Sequence, residues 1–214
     1  MMETPNQQHP TPTIRRKSMT NSSLTRDHIV EVARTHIEKN GIEKLSFRGV
    51  ARELGVTAPA LYAYVQDKQE LLEIIAAEHF ALLGERFDSI EPTDDPVERI
   101  RRLSRAYVDH ALDSPTLFRV MFRFPPRPTS GVDAFPPAAT VFEKAAESIH
   151  EAVAAGTFAT DDADLAALTM WASIQGVCGV LLLGFAPDPE QADRLIGSVI
   201  DSMIAGQVNP LPKL

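Results

Sequence analysis

Few residues in this chain have the types and spacing for catalysis or metal binding. Its six histidines are His9, His28, His36, His79, His110 and His150. No two of them share a helix face with a carboxylate at the His-Glu-x-x-His spacing that holds zinc. The one cysteine, Cys178, lies in an apolar run, Gly176-Val177-Cys178-Gly179-Val180-Leu181, and reads as a small packed hydrophobe. A lone cysteine permits no intramolecular disulfide and no multi-cysteine metal site. The sequence contains no Gly-x-Ser-x-Gly elbow, P-loop or Gly-x-Gly-x-x-Gly. The acid pair Asp161-Asp162 sits where a helix starts, and the helix dipole accounts for it. The expectation is a protein that is not an enzyme and has no metal and no cofactor.

A different chemistry is suggested by residues 45–68, Leu-Ser-Phe-Arg-Gly-Val-Ala-Arg-Glu-Leu-Gly-Val-Thr-Ala-Pro-Ala-Leu-Tyr-Ala-Tyr-Val-Gln-Asp-Lys. Phe47, Val50, Ala51 and Leu54 bury one face of a short helix that starts after the N-cap Ser46. Gly55 permits a left-handed turn. Val56 plugs the core between the helices, and Leu61 anchors the next one. Thr57 caps that helix, and Pro59 is tolerated in its first turn. Ala58, Pro59 and Ala60 are small, so this first turn is unobstructed. Two short helices joined by a glycine turn, after a longer first helix, form a helix-turn-helix, whose second helix points its N-terminal turn at base edges.

The elements that must position this motif are helical. Of 214 residues, 44% are hydrophobic and 23% charged, as in soluble globular proteins. No alternating stretch is long enough for a sheet. Helices are predicted over about 25–39, 47–54, 58–64, 68–88, 96–112, 115–122, 135–155, 161–183 and 189–205, an all-α fold of about nine helices. Residues 1–23 read as a disordered arm with a basic cluster, Arg15-Arg16-Lys17, and 125–131 as a loop. The N-terminus lacks the apolar core of a signal peptide, which implies a cytoplasmic location. Leu165 to Ala186 carries no charge, but its acidic flanks and internal Thr, Ser, Gln and Gly argue for a buried or interface helix over a membrane span.

Net charge is −8, which taken alone argues against nucleic acid. The charge is unevenly spread: residues 1–70 carry +2 and residues 71–214 carry −10. The helix-turn-helix end is the one that phosphate would attract.

Residues 24–84 resemble the tetracycline repressor (TetR) family of bacterial transcription regulators. The resemblance rests on Gly41, Val50-Ala51, Leu54-Gly55-Val56, Ala60-Leu61-Tyr62, Lys68 and Leu71-Leu72. It implies a recognition helix over about 57–64, with Ala58, Pro59 and Ala60 facing bases. Ser46, Arg48, Thr57, Tyr62, Tyr64 and Lys68 would then serve the phosphate backbone. The sequence departs from the family at Ala63 and at Tyr64-Val65, where an aromatic and His-Phe are usual. The resemblance further implies that residues 85–214 bind a small effector and form a homodimer. Within them, Ser114–Phe122 and Leu168–Gly176 resemble a subgroup with a Trp-His-Gly signature, Gln175 standing where the His would be. Phe118, Met121, Phe122 and Trp171 are the large apolar groups expected around a mostly apolar ligand, and His110, Arg123 and Gln175 are candidates to orient it. Gly176, Gly179, Leu183, Ile196, Val199, Ile200 and Met203 are candidates for the dimer interface. The reading implied is a ligand-responsive repressor released from a palindromic operator in double-stranded DNA. The alternatives are an activator or global regulator of the same fold, and a helical binding or scaffold protein that does not bind DNA.

Overall fold

The computed structural model describes residues 24–123 and 135–208, and the N-terminal arm and the 125–131 loop lie outside the described residues. Among the described residues there are nine α-helices and no strand. They are α1 (Arg26–Asn40), α2 (Phe47–Leu54), α3 (Ala58–Leu61), α4 (Lys68–Asp88), α5 (Pro96–Asp113), α6 (Pro115–Met121), α7 (Pro136–Ala154), α8 (Ala163–Leu182) and α9 (Pro189–Val208). A 3-10 turn, Ile42–Lys44, follows α1.

Side-chain caps set most of the helix starts. Thr25, Ser46, Asp67, Asp95 and Asp162 each accept from a backbone N–H of the following turn. Thr57 and Ser114 stand at the N-cap position without such a bond. Pro59 and Pro115 fix the first-turn backbone there instead. Gly55 ends α2 at φ 70°, ψ 24°, a left-handed cap that a side chain would strain.

Three boundaries differ from the sequence reading. The recognition helix is α-helical only over Ala58–Leu61. Beyond it the chain tightens into three-residue turns, with Tyr62 N–H donating to Pro59 O and Tyr64 N–H to Leu61 O. That turn drops Val65 into the core at 1% exposure. Residues 42–44 form the unanticipated 3-10 turn. Helix α9 runs through Gly206 to Val208, and Ala159 N–H donates to Gln207 O at 2.9 Å, holding its last turn.

The apolar residues form two clusters. Ile29, Val30, Ala33 and Ile37 of α1, Val50 and Ala51 of α2, Leu61 of α3 and Leu71, Leu72, Ile75 and Ala76 of α4 make the first. Phe80, Leu83 and Phe87 of α4 begin the second, which fills the space among α5 to α9. Helix α6 belongs to both: Leu117 and Val120 pack in the first, Phe118 and Met121 in the second. Ion pairs Arg101–Asp201 and Arg105–Asp193 lash α5 to α9, and Lys144–Asp88 ties α7 to α4 at 2.6 Å.

Candidate nucleic-acid interface and effector site

The helix-turn-helix rests on fully buried Leu61 and Val50, which hold α3 against α1 and α2. With Leu61 fixed inward, α3 turns its other residues outward, Ala58 still packing in part against the core. Thr57 and Pro59 are exposed, and Ala58 and Ala60 are half-buried. Tyr62 is 60% exposed, and its ring packs on Phe47 at a centroid distance of 5.0 Å. Tyr64, Arg48 and Ser46 are exposed as well. Ser46 Oγ is engaged as the cap of α2, accepting from Gly49 N–H at 3.1 Å.

Lys68 is half-buried, and its Nζ donates to the carbonyl of Ile42 at 3.3 Å. An ammonium has three donors, so this bond aims the group and leaves two N–H. The 3-10 turn is held from several sides. Lys68 takes the Ile42 carbonyl, His36 Nε2 lies 3.2 Å from the Lys44 carbonyl, and Arg123 pairs with Glu43 at 2.5 Å. The His36 ring, buried beside Gly49, has its other nitrogen 2.6 Å from Glu53 of α2.

In the C-terminal helices the candidate residues form a continuous aromatic chain. Ring centroids are 5.1 Å apart for Phe118 and Phe122 and 6.3 Å for Phe122 and Trp171. Two residues missed by the sequence reading join it, and a third pairs with His110. Tyr107 sits 5.6 Å from Phe118, and its hydroxyl accepts from Trp171 Nε1–H at 3.4 Å. Phe142 sits 6.1 Å from Trp171. His79 of α4 lies 5.7 Å from His110 of α5. Tyr107 could have been found from its position one turn before His110 on the same helix face. His79 had no such sign, because its partner is on another helix.

His110 and His79 are both buried. Burial, with His79 and Arg86 adding to it and Asp113 opposing, pulls His110 down to about 4. Burial, and then Arg34, lowers His79 also. The pair is therefore uncharged near neutral pH. His79 Nδ1, His110 Nε2 and Gln175 Oε1 are buried atoms with no hydrogen-bond partner. Burial pushes the Cys178 thiol up to about 12, which keeps it protonated and unreactive. Met121 is a buried core residue.

The proposed interface residues separate into two groups. Ile196, Ile200 and Met203 are buried in the protomer's own core, and Val199 packs half-buried against it, so these four form no open face. Their spacing signalled burial correctly, but against α5 and α8 of the same chain. Gly176, Gly179 and Leu183 do lie on an open face of α8, with Leu165, Leu168 and Val180. A Cβ on either glycine would meet nothing within 4 Å. By length and composition α8 is apolar enough to cross a membrane, and much of that apolar character lies on this face.

The comparisons agree with this architecture. Residues 29–75 match the pattern of the bacterial regulatory proteins of the tetR family, and residues 100–203 match the tetracyclin repressor-like C-terminal domain. The chain belongs to the TetR family of regulators. The HTH-type transcriptional regulator Mb1846 of Mycobacterium bovis is 29% identical over 140 residues, 63% of this chain. The match spans only 57% of that relative's length. The HTH-type transcriptional repressor DrrR1 of Streptomyces coeruleorubidus is 45% identical over 53 residues, 25% of this chain and 20% of its own. A solved structure of a protein of unknown function from Rhodococcus sp. RHA1 superposes with TM-score 0.74 at 25% identity, covering 90% of this chain and all of the other.

Proposed function

We propose that the protein is a homodimeric transcriptional repressor that a small, mostly apolar effector releases from a palindromic operator. One observation carries the reading: the first turn of α3 presents exposed Pro59 beside half-buried Ala58 and Ala60, small residues that leave it unobstructed, flanked by Tyr62, Tyr64 and a pre-aimed Lys68. Two such helices, related by the two-fold axis of a dimer, would enter successive major grooves. Ala58, Pro59 and Ala60 offer apolar contact to thymine methyls, while Arg48, Thr57, Tyr62, Tyr64 and Lys68 hold phosphates. The open face of α8 (Leu165, Leu168, Gly176, Gly179, Val180, Leu183) supplies the two-fold contact, its glycines letting the helices approach closely. The organisation is a head over 24–84 and a body over 85–214, working inside the cell where its DNA is. The acidic body is repelled by phosphate, which orients the head toward the duplex.

An effector bound among Phe118, Phe122, Trp171, His110 and Gln175 shifts the dimer only by its difference in affinity for the bound and released states. The test is a mobility shift with the DNA upstream of the protein's own gene. Salt-sensitive, sequence-selective retardation is expected, and its absence at every salt concentration refutes the reading.

A further inference from the structure

The core of the body contains a polar seam that the protein itself does not satisfy. Tyr107 and His110 lie one turn apart on α5, and His79 of α4 stands beside His110. Facing them on α8 are Trp171, Gln175 and Cys178, spaced four and three residues apart along one helix face. Trp171 donates to the Tyr107 hydroxyl, which sets this stripe of α8 against α5. Gln175 lies between Trp171 and Cys178 on that helix face. Its buried Oε1 nevertheless has no donor. His110 Nε2 and His79 Nδ1 are likewise buried and unpaired, on side chains at least nine-tenths buried.

Folded proteins rarely leave such buried atoms unpaired, because each forfeits its hydration. Their chemistry describes what completes them. Gln175 Oε1 only accepts, so the missing group must donate a hydrogen. Each neutral imidazole presents one N–H and one lone pair, so it suits a group that can donate and accept. A hydroxyl does both, whereas a ketone or ether would leave Gln175 unsatisfied. The seam contains no charged side chain. Arg34 and Arg86, the cations that act on the two histidines, are paired with Glu78 and Asp113. A carboxylate or ammonium ligand would enter without a counter-charge. Flat rings run on from Tyr107: Phe118, Phe122, Trp171 and Phe142.

We propose that the effector is an uncharged hydroxylated aromatic molecule. Its ring packs among Phe118, Phe122 and Trp171, and its hydroxyl is held by Gln175 and His110. The proposal rests on the reading that this region is the effector site. It adds the ligand's chemical class and assigns His79 and Tyr107 to the site.

Calorimetric titration of the whole protein with phenol, hydroquinone, toluene, benzoate and benzylamine tests the class. Phenol and hydroquinone should bind about tenfold or more tighter than toluene, the difference made by satisfying a buried acceptor. Benzoate and benzylamine should bind more weakly than either phenol. Gln175→Leu and His110→Phe should each reduce the preference for phenol over toluene by about fivefold to tenfold. Both variants remove an unpaired polar atom from a core, so thermal midpoints equal to or above the parent's are expected, showing intact folding. Equal binding of toluene and phenol, preference for a charged probe, an unchanged preference in the variants, or no binding by any probe each overturns the proposal. Parallel mobility shifts separate the two readings. If phenol binds as described without changing DNA retention, the ligand class stands and the effector role falls. If another class of compound releases the DNA through these residues, the effector role stands and this class falls.

Discussion

Replacing Lys68 by Met keeps the apolar stem and removes the charge, so the variant separates the hydrogen bond seen in the structure from the phosphate contact proposed for the same group. The first role is structural. Nζ–H bonds the Ile42 carbonyl at 3.3 Å from a half-buried position, and losing it should cost about 0.5–1.5 kcal/mol of stability. The second is the proposed phosphate contact by the two remaining N–H. Each phosphate neutralised steepens the plot of log K against log salt by about 0.9, so two protomers losing one contact each should flatten it by about 1.8. Over a fourfold rise in salt, the gap in affinity between parent and variant should therefore shrink by about tenfold. Fluorescence anisotropy with operator DNA across a salt series measures the slope, and a urea titration measures the stability. An unchanged slope beside a lowered urea midpoint would refute the reasoning. Lys68 would then be a strut between α4 and the 3-10 turn and not a DNA contact.

Three further predictions follow from the geometry. Tyr62→Phe keeps the ring packed on Phe47 and should leave stability within about 0.5 kcal/mol, yet weaken binding to all DNA sequences alike, as anisotropy with specific and random duplexes will show. Leu183→Glu places a charge on a residue 74% exposed in the protomer, so light scattering should find monomers while the protomer's far-ultraviolet dichroism is unchanged; a persisting dimer would move the interface elsewhere. His110 is held at about 4 in the folded protein against an ordinary 6.5, so the unfolded chain takes up its proton first as pH falls. Its contribution is full above about pH 6.5 and is lost toward pH 4, by an amount on the order of 3 kcal/mol, and thermal midpoints of the parent should drop more steeply over that window than those of His110→Phe.

The helix-turn-helix was legible because its signals are local. An N-cap, a positive-φ glycine and an apolar plug recur at fixed spacing, and Ser46, Gly55 and Val56 stand where each was expected. The length of α3 was less legible. Its end depends on Val65 reaching the core, a contact among separate elements that the pattern of residues 58–64 does not contain. The same limit applies to α9. The stripe Ile196, Ile200 and Met203 announced that one face is covered, but periodicity cannot say whether the cover is the same chain or a copy of it. The aromatic residues of the body were found singly. The pairing of His79 with His110 and of Tyr107 with Trp171 depends on how α4, α5 and α8 pack, and a single sequence holds no record of that packing.

Helix α6 has a consequence for engineering. Four of its seven residues divide their side chains between the two apolar clusters, Leu117 and Val120 inward to the first, Phe118 and Met121 to the second. A reader head cut off after α4 would lose two side chains that now seal it and expose the surface they cover. A chimera that grafts this head onto a foreign body would need matching residues from the recipient's corresponding helix. The unit that can be exchanged among relatives is thus discontinuous in sequence: the first four helices together with one face of the sixth.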